Sequence, residues 1–412
     1  MIALQDIRLA YGTEIALVVL CCRIHFNTER IESLQPFINE HSPDWGQVLY
    51  LCDYHRIEPI THQILSQAKL PANIATKIRQ RQMFLIQQNF RQAVETERII
   101  QTLETHGISC VPYKGSAFSR QFYGDIISRE SSDIDLVIFH PDFDKLIAVM
   151  EKEGYDIENR LEYDYFKQDI VKRAKELNFN RYKDGHREFH VEFHWQISDH
   201  VTKLSKQANS FFTLSTQEEV LAKEKLNMLD VNAHYLAVFI HHSNNDGFSV
   251  LRNLLDLAQL STATHNSLDI DSIHQKLKAA HLTKAMNVGA YLISAILGIN
   301  YPLGSGSNDF SVPTKVKSFF LSQLLDKDCL GAHFKIKPVR KNLLYLKDRT
   351  VDKISYLTAC IGLRFTPSRK DIRTFNLPKR LYFLYYILKP FRSLLSPVSH
   401  QEEKDASQQQ SR

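Results

Sequence analysis

Residues 188–197, Glu-Phe-His-Val-Glu-Phe-His-Trp-Gln-Ile, alternate polar and apolar side chains without a break. A period of two belongs to a β-strand with one buried face. Such a strand needs neighbours, so the chain must hold a sheet. The other strand signals lie close by. Ile134-Asp135-Leu136-Val137-Ile138-Phe139 reads as a strand stopped by His140-Pro141, and Ile108 to Tyr113 as a short one ending at Lys114-Gly115. Elsewhere the apolar period is helical, most clearly over Ile74 to Leu103 and, from about residue 216 onward, over Asn232–Ile240, Val250–Leu260 and Ala285–Leu297. The expected class is α+β, with a small mixed-sheet core embedded between helical N- and C-terminal regions. The expected boundaries are 1–105 for N-terminal helices, 106–215 for the core, 216–300 for further helices, 301–398 for a basic helical region and 399–412 for a polar, disordered tail.

A chain of 412 residues with 43% hydrophobic content can bury a core without disulfide or metal staples. Its six cysteines are scattered and form no Cys-x-x-Cys pair, which suits reduced, buried thiols and a cytoplasmic location. The apolar runs at 15–22 and 381–388 fall well short of the ~20 residues needed to span a bilayer. The first residues lack the charge order and cleavage site of a signal peptide. The net charge of +5 says little, but its distribution says more: residues 331–398 hold 15 Lys/Arg against 3 Asp/Glu, a net of +12, which leaves −7 elsewhere. That basic region, interleaved with aromatics, suits contact with RNA or an anionic membrane surface. It equally suits a packed helix with a solvated basic edge.

The chemistry concentrates between Lys114 and Trp195. Asp133 and Asp135 are two apart at the head of a strand, so both side chains share a face. Carboxylates held that close repel unless a cation lies between them. Hard divalent ions favour such oxygen donors, with substrate phosphates completing the shell. In the 188–197 strand, Val191, Phe193 and Trp195 would face the core, and His190, Glu192 and His194 the other side. If the two strands are neighbours, Glu192 completes a three-carboxylate set able to hold two metals. Solvated aspartates at a strand start are the plain alternative, as is a charged loop for Arg129. A His-Glu-His metal site is weaker, because the nearby aspartates favour a harder ion. His241-His242 lacks zinc spacing and is expected to pack structurally. The Gly304-Ser305-Gly306 loop lacks the Lys-Ser/Thr of a phosphate loop and reads as a linker.

Lys114-Gly115, Tyr123-Gly124, Arg129, Asp133-Ile134-Asp135-Leu136-Val137 and His190-Val191-Glu192-Phe193-His194-Trp195, in that order, resemble the uncharacterised nucleotidyltransferase family of the polymerase-β-like superfamily. The likeness extends to Asp44-Trp45, Tyr54-His55-Arg56-Ile57, His234-Tyr235-Leu236, Leu254-Leu255-Asp256-Leu257 and Arg364 to Asp371, from about Trp45 to Leu395. Ser116 and Asp133 stand 17 residues apart, longer than the superfamily's usual spacing but in keeping with this family. The resemblance implies a nucleotidyltransferase core, with Asp133, Asp135 and Glu192 as catalytic metal ligands. It places Lys114, Gly115, Ser116 and Arg129 on the triphosphate side. It implies Mg²⁺, or Mn²⁺ in its place, with an NTP as substrate and an unidentified acceptor. Two other readings share the fold: a catalytically silent NTP-binding accessory protein of a polysaccharide or peptide biosynthetic cluster, and a transferase toxin that modifies RNA or tRNA.

Overall fold

The computed structural model describes residues 1–139, 142–202, 204–205, 208–209, 214–263, 268–302, 311–328 and 339–395. His140-Pro141, Gly304-Ser305-Gly306, Cys329 and the 399–412 tail lie outside the described residues. The fold is α+β. Helices fill the first hundred residues, ending in a 34-residue helix, Ala72–Thr105. The apolar run at 15–22 lies in the helix Thr13–His25, where every residue from Ile15 to Ile24 is buried. It is a core helix, and among the described residues no helix is long and apolar enough to cross a membrane. Asp44 starts Trp45–Tyr54 by accepting the Gly46 and Gln47 N–H groups at 2.8 and 3.3 Å.

Five strands form the main sheet: β1 (Cys110–Pro112), β2 (Ile134–Ile138), β3 (Asp156–Ile157), β4 (Glu176–Lys183) and β5 (His186–His194), in the order β1-β2-β5-β4-β3. Only β2 and β5 run parallel; the other neighbours are antiparallel. Asp184 and Gly185, with φ of 52° and 79°, turn β4 into β5. Positive φ at both central residues matches the right-handed twist of a hairpin, and Asp-Gly supplies it at little cost. Ile134, Leu136, Val191, Phe193, Leu177 and Phe179 point to one face and pack with Leu146 and Met150 of the helix Phe143–Lys152. Truncating fully buried Phe193 to alanine would cost about 3–5 kcal/mol. The opposite face carries Asp135, Glu192 and His194.

The helical pattern expected from about residue 216 does not hold at 216–229, where Thr216–Val220 (β6) and Lys225–Leu229 (β7) form an antiparallel hairpin. Its turn is held by Glu97 Oε1, which accepts the N–H groups of Ala222, Lys223 and Glu224 at 2.7, 2.8 and 3.0 Å. Leu226 and Met228 anchor β7 in the sheet's core.

The helices before and after the sheet share one core: Leu17, Leu20 and Leu51 pack in the same cluster as Leu254, Ile293 and Leu324. Buried Arg23 fastens them, its Nε donating to the Ile296 carbonyl and its Nη2 to the Ile2 carbonyl, both at 2.7 Å. Cys21, Cys22, Cys52, Cys110 and Cys360 are free and buried.

A carboxylate–histidine cluster as the candidate active site

The parallel pairing of β2 and β5 sets Ile134 opposite Val191 and Asp135 opposite Glu192. The apolar members lock this register, since a one-residue slip would turn every side chain to the wrong face. Two carboxylates are thereby fixed on adjoining strands. His194 reaches back between them, with Nε2 at 2.9 Å from Asp135 Oδ1 and 3.4 Å from Glu192 Oε2. Its Nδ1 lies 3.2 Å from Oε2 of Glu176 on β4. His190 flanks the other side, with Nε2 at 3.3 Å from Glu192 Oε1 and Nδ1 at 2.7 Å from Asn180 Oδ1.

Lys114 arrives from the end of β1. Its buried Nζ donates to Asp135 Oδ1 at 3.0 Å. The approach requires unusual backbone: φ is 57° at Lys114 and 47° at Gly115. A Cβ on Gly115 would meet Ser131 Oγ at 3.1 Å, so glycine lets this turn pass beside the segment that leads into β2. The Lys114 N–H donates to His234 Nε2 at 3.3 Å. Ser116 is buried in the short helix Gly115–Phe118.

Electrostatics set the three acids apart. Asp133 is half-buried, and burial followed by repulsion from Asp135 and Glu192 raises its pKa. Burial opposes ionisation of Asp135 too, but Lys114 and His194 outweigh it and hold that carboxyl below its usual range. Glu192 is likewise lowered, with His190 and His194 overcoming burial. Burial lowers the pKa of His194, yet its bonds to Asp135 and Glu192 leave it raised. The site thus concentrates negative charge that one ammonium and the imidazoles only partly offset. Asp135, Glu192 and His194 offer ligand atoms within 4.8 Å of one another. Asp133 stands beside that group rather than within it.

The structure brings Lys114, Asp135 and Glu192 together and sets Asp133 at their edge. Arg129 is engaged elsewhere: its Nε donates to both oxygens of buried Asp256 at 3.0 and 3.1 Å, and its guanidinium lies over Phe118. Asp256 also accepts from Tyr123 Oη at 3.1 Å and faces His242 Nε2 at 3.0 Å. Glu176 had no signal of its own in the sequence. The Asp184-Gly185 dipeptide ahead of the alternating strand could have disclosed its strand.

Beside the cluster, a cavity of about 550 Å³ opens between β4, the helix Arg160–Arg173 and the C-terminal helices. Glu176 and Asn178 line its sheet side, Arg173 and Lys175 add positive charge, and Thr366 and Tyr386 close it from the C-terminal side. Some of the basic region's charge is paired internally. Arg392 binds Asp371, and buried Lys347 donates to Asn244 Oδ1 at 2.8 Å.

The Lys114-Gly115 turn brings a buried ammonium to carboxylates on adjoining strands of a small mixed sheet, a charge arrangement able to stabilise a transferring anionic group. A family model described as uncharacterised nucleotidyltransferase matches residues 41–298, more than half of the chain, and the chain belongs to that family. It is accordingly a transferase of phosphorus-containing groups. No curated protein and no solved structure matches it.

Proposed function

We propose that the chain transfers a nucleoside monophosphate from an NTP to an acceptor hydroxyl at the Asp133–Asp135–Glu192 face. The observation that carries this reading is the Asp135–Glu192 register across parallel strands, with the Lys114 ammonium 3.0 Å from Asp135. The donor set fits a hard divalent cation. Asp133 stands beside the Asp135–Glu192 pair, and burial first, then repulsion from both, raises its pKa; a cation between them would relieve that repulsion. Asp133, Asp135 and Glu192 would hold Mg²⁺, or Mn²⁺ in its place. The bound ion supplies neutralisation of the triphosphate and a lower pKa for the acceptor hydroxyl.

The chain's own groups do the rest. Lys114 presents a positive charge to the triphosphate, and the Gly115 turn keeps the backbone clear. Arg129, tied to Asp256, adds positive charge at longer range. The acceptor oxygen attacks the α-phosphorus, the bond to the β-phosphate bridging oxygen breaks, pyrophosphate leaves and the acceptor proton passes to solvent. The acceptor would enter from the cavity lined by Glu176, Arg173 and Tyr386. An RNA or anionic surface would meet the chain through the basic C-terminal helices beside it.

The test is transfer of label from each of four α-labelled NTPs to fractionated cell extract. Label retained on an acceptor, and lost in Asp135→Asn, supports the proposal. Mg²⁺-NTP binding without turnover on any fraction would favour the silent accessory reading.

A further inference from the structure

We propose a second metal site, independent of the nucleotidyl-transfer reading, in which His241, His242 and Asp246 bind a borderline divalent ion such as Zn²⁺. Adjacent histidines on an α-helix diverge by about 100° and could not share an ion. Here the helix Val231–Ile240 runs into a π-turn, His241–Asp246. Bonding from i to i+5 brings position 246 back under both imidazoles, and such turns are frequent at functional sites. His241 Nδ1 and His242 Nδ1 lie 3.5 and 3.2 Å from the same oxygen, Oδ2 of Asp246. Tetrahedral zinc with bonds of about 2.0 Å sets its ligand atoms roughly 3.3 Å apart. The three ligand atoms all fall within 4.8 Å of one another.

The neighbouring hydrogen bonds set which atoms face the gap between the three side chains. Asn253 Oδ1 accepts from the Val250 N–H at 3.3 Å, which directs its NH₂ group to His242 Nδ1 at 2.9 Å and to Asp246 Oδ2 at 2.8 Å. His242 Nδ1 therefore presents a lone pair to the gap, one that an ion would take over from the Asn253 amide. Its other nitrogen, Nε2, carries the proton and donates to Asp256 Oδ2 at 3.0 Å. A carboxylate that fixes the tautomer of a ligating histidine is the usual outer partner of a zinc site. The buried Nδ1 of His241 makes no aligned hydrogen bond. Three electron-pair donors thus converge with one amide NH₂ to serve two of them.

The surroundings hold the turn open to an ion. Arg340 donates to the carbonyls of Asn245 and Asp246, and Asn342 Nδ2 donates to the Gly247 carbonyl at 3.0 Å. His241 and Asp246 keep 15% and 28% of their side chains exposed, which leaves a way in. Two imidazoles and one carboxylate select Zn²⁺ over Mg²⁺, in contrast to the oxygen donors on the sheet.

The test uses full-length chain carrying Asp135→Asn and Glu192→Gln, which disables the sheet cluster as a competing site. After chelation, Zn²⁺ is titrated against a chromogenic chelator, and Co²⁺ is added separately to read its visible ligand-field bands. One equivalent of Zn²⁺ bound with submicromolar affinity, and tetrahedral Co²⁺ bands, are expected. His241→Ala and Asp246→Asn should each weaken Zn²⁺ at least tenfold, with circular dichroism unchanged. His241→Gln serves if either variant fails to fold. Absence of stoichiometric Zn²⁺ binding overturns the proposal, and so does binding that survives both His241→Ala and Asp246→Asn. Binding found in the unmodified chain but lost in the Asp135→Asn, Glu192→Gln background also overturns it, because the ion then belongs to the sheet cluster.

Discussion

Replacing Arg129 by methionine should destabilise the chain by about 3 kcal/mol, and Asp256→Asn by nearer about 5 kcal/mol. The asymmetry follows from the contacts. Without Arg129, the buried Asp256 carboxylate still accepts from Tyr123 at 3.1 Å and from His242 at 3.0 Å. Without the Asp256 charge, the buried Arg129 cation keeps the face of Phe118, 5.1 Å away, but loses its ionised partner. A cation stranded in a desolvated position is the costlier outcome. Urea unfolding monitored by tryptophan fluorescence reads the effect. With an m-value near about 3 kcal/mol/M, the midpoints should fall by roughly 1 M and 1.7 M. The double variant should fall short of the sum, with a coupling of about 0.5–3 kcal/mol. Burial raises the pKa of Asp256, yet Arg129 first and His242 next hold it below the normal range. A depressed folded-state pKa gives stability that is present above the unfolded value and lost as pH falls. The gap between wild type and Arg129→Met should therefore begin to narrow below about pH 4 and close only as pH falls through the depressed folded-state value. An Arg129→Met unfolding free energy within about 1 kcal/mol of wild type would refute the reasoning.

Asp135→Asn and Glu192→Gln should each reduce NMP transfer by about a thousandfold, since metal-assisted charge stabilisation is worth several kcal/mol, while circular dichroism stays unchanged. Glu58 lies buried against Arg81, and burial pushes its carboxyl up to about 7 despite that partner. A raised carboxyl pKa means the folded state holds the extra proton, so stability should decline by about 3 kcal/mol as pH rises from 4.5 to 7, a slope that Glu58→Gln abolishes in urea titrations. Glu97→Ala strips the acceptor from three backbone N–H groups and should cost about 2–4 kcal/mol, with faster hydrogen exchange at Ala222, Lys223 and Glu224.

What could be read in advance was whatever a local pattern encodes. The alternation of 188–197 and the apolar run after Asp133 located β5 and β2, and the interval between Lys114 and Trp195 holds the cluster. β4 escaped notice because its alternation is short: Leu177 and Phe179 supply the buried face, but Arg181 stands where the next apolar residue is due, and its asparagines carry little strand preference. The β6–β7 hairpin was hidden for a different reason. Gln217, Glu218 and Glu219 carry no strand preference, and their pairing rests on Glu97, far back in the chain. Nor does any local pattern pair Arg129 with Asp256, 127 positions later. Contacts at that separation belong to the tertiary fold, as does the π-turn that gathers His241, His242 and Asp246.

The joint burial of Leu17 and Leu20 with Leu254 and Ile293 has a consequence for biosynthesis. The opening helices leave the ribosome hundreds of residues before the surfaces that will cover them exist. The sheet, whose strands are nearly all neighbours in the chain, can mature first. Until the last helices arrive, the segment from Ile15 to Cys22 presents a sticky flank to the cell. Chaperone occupancy of nascent chains should therefore begin early and end only when Arg23 meets the Ile296 carbonyl, which makes truncation from the C-terminal side more harmful to the start of this protein than to its middle.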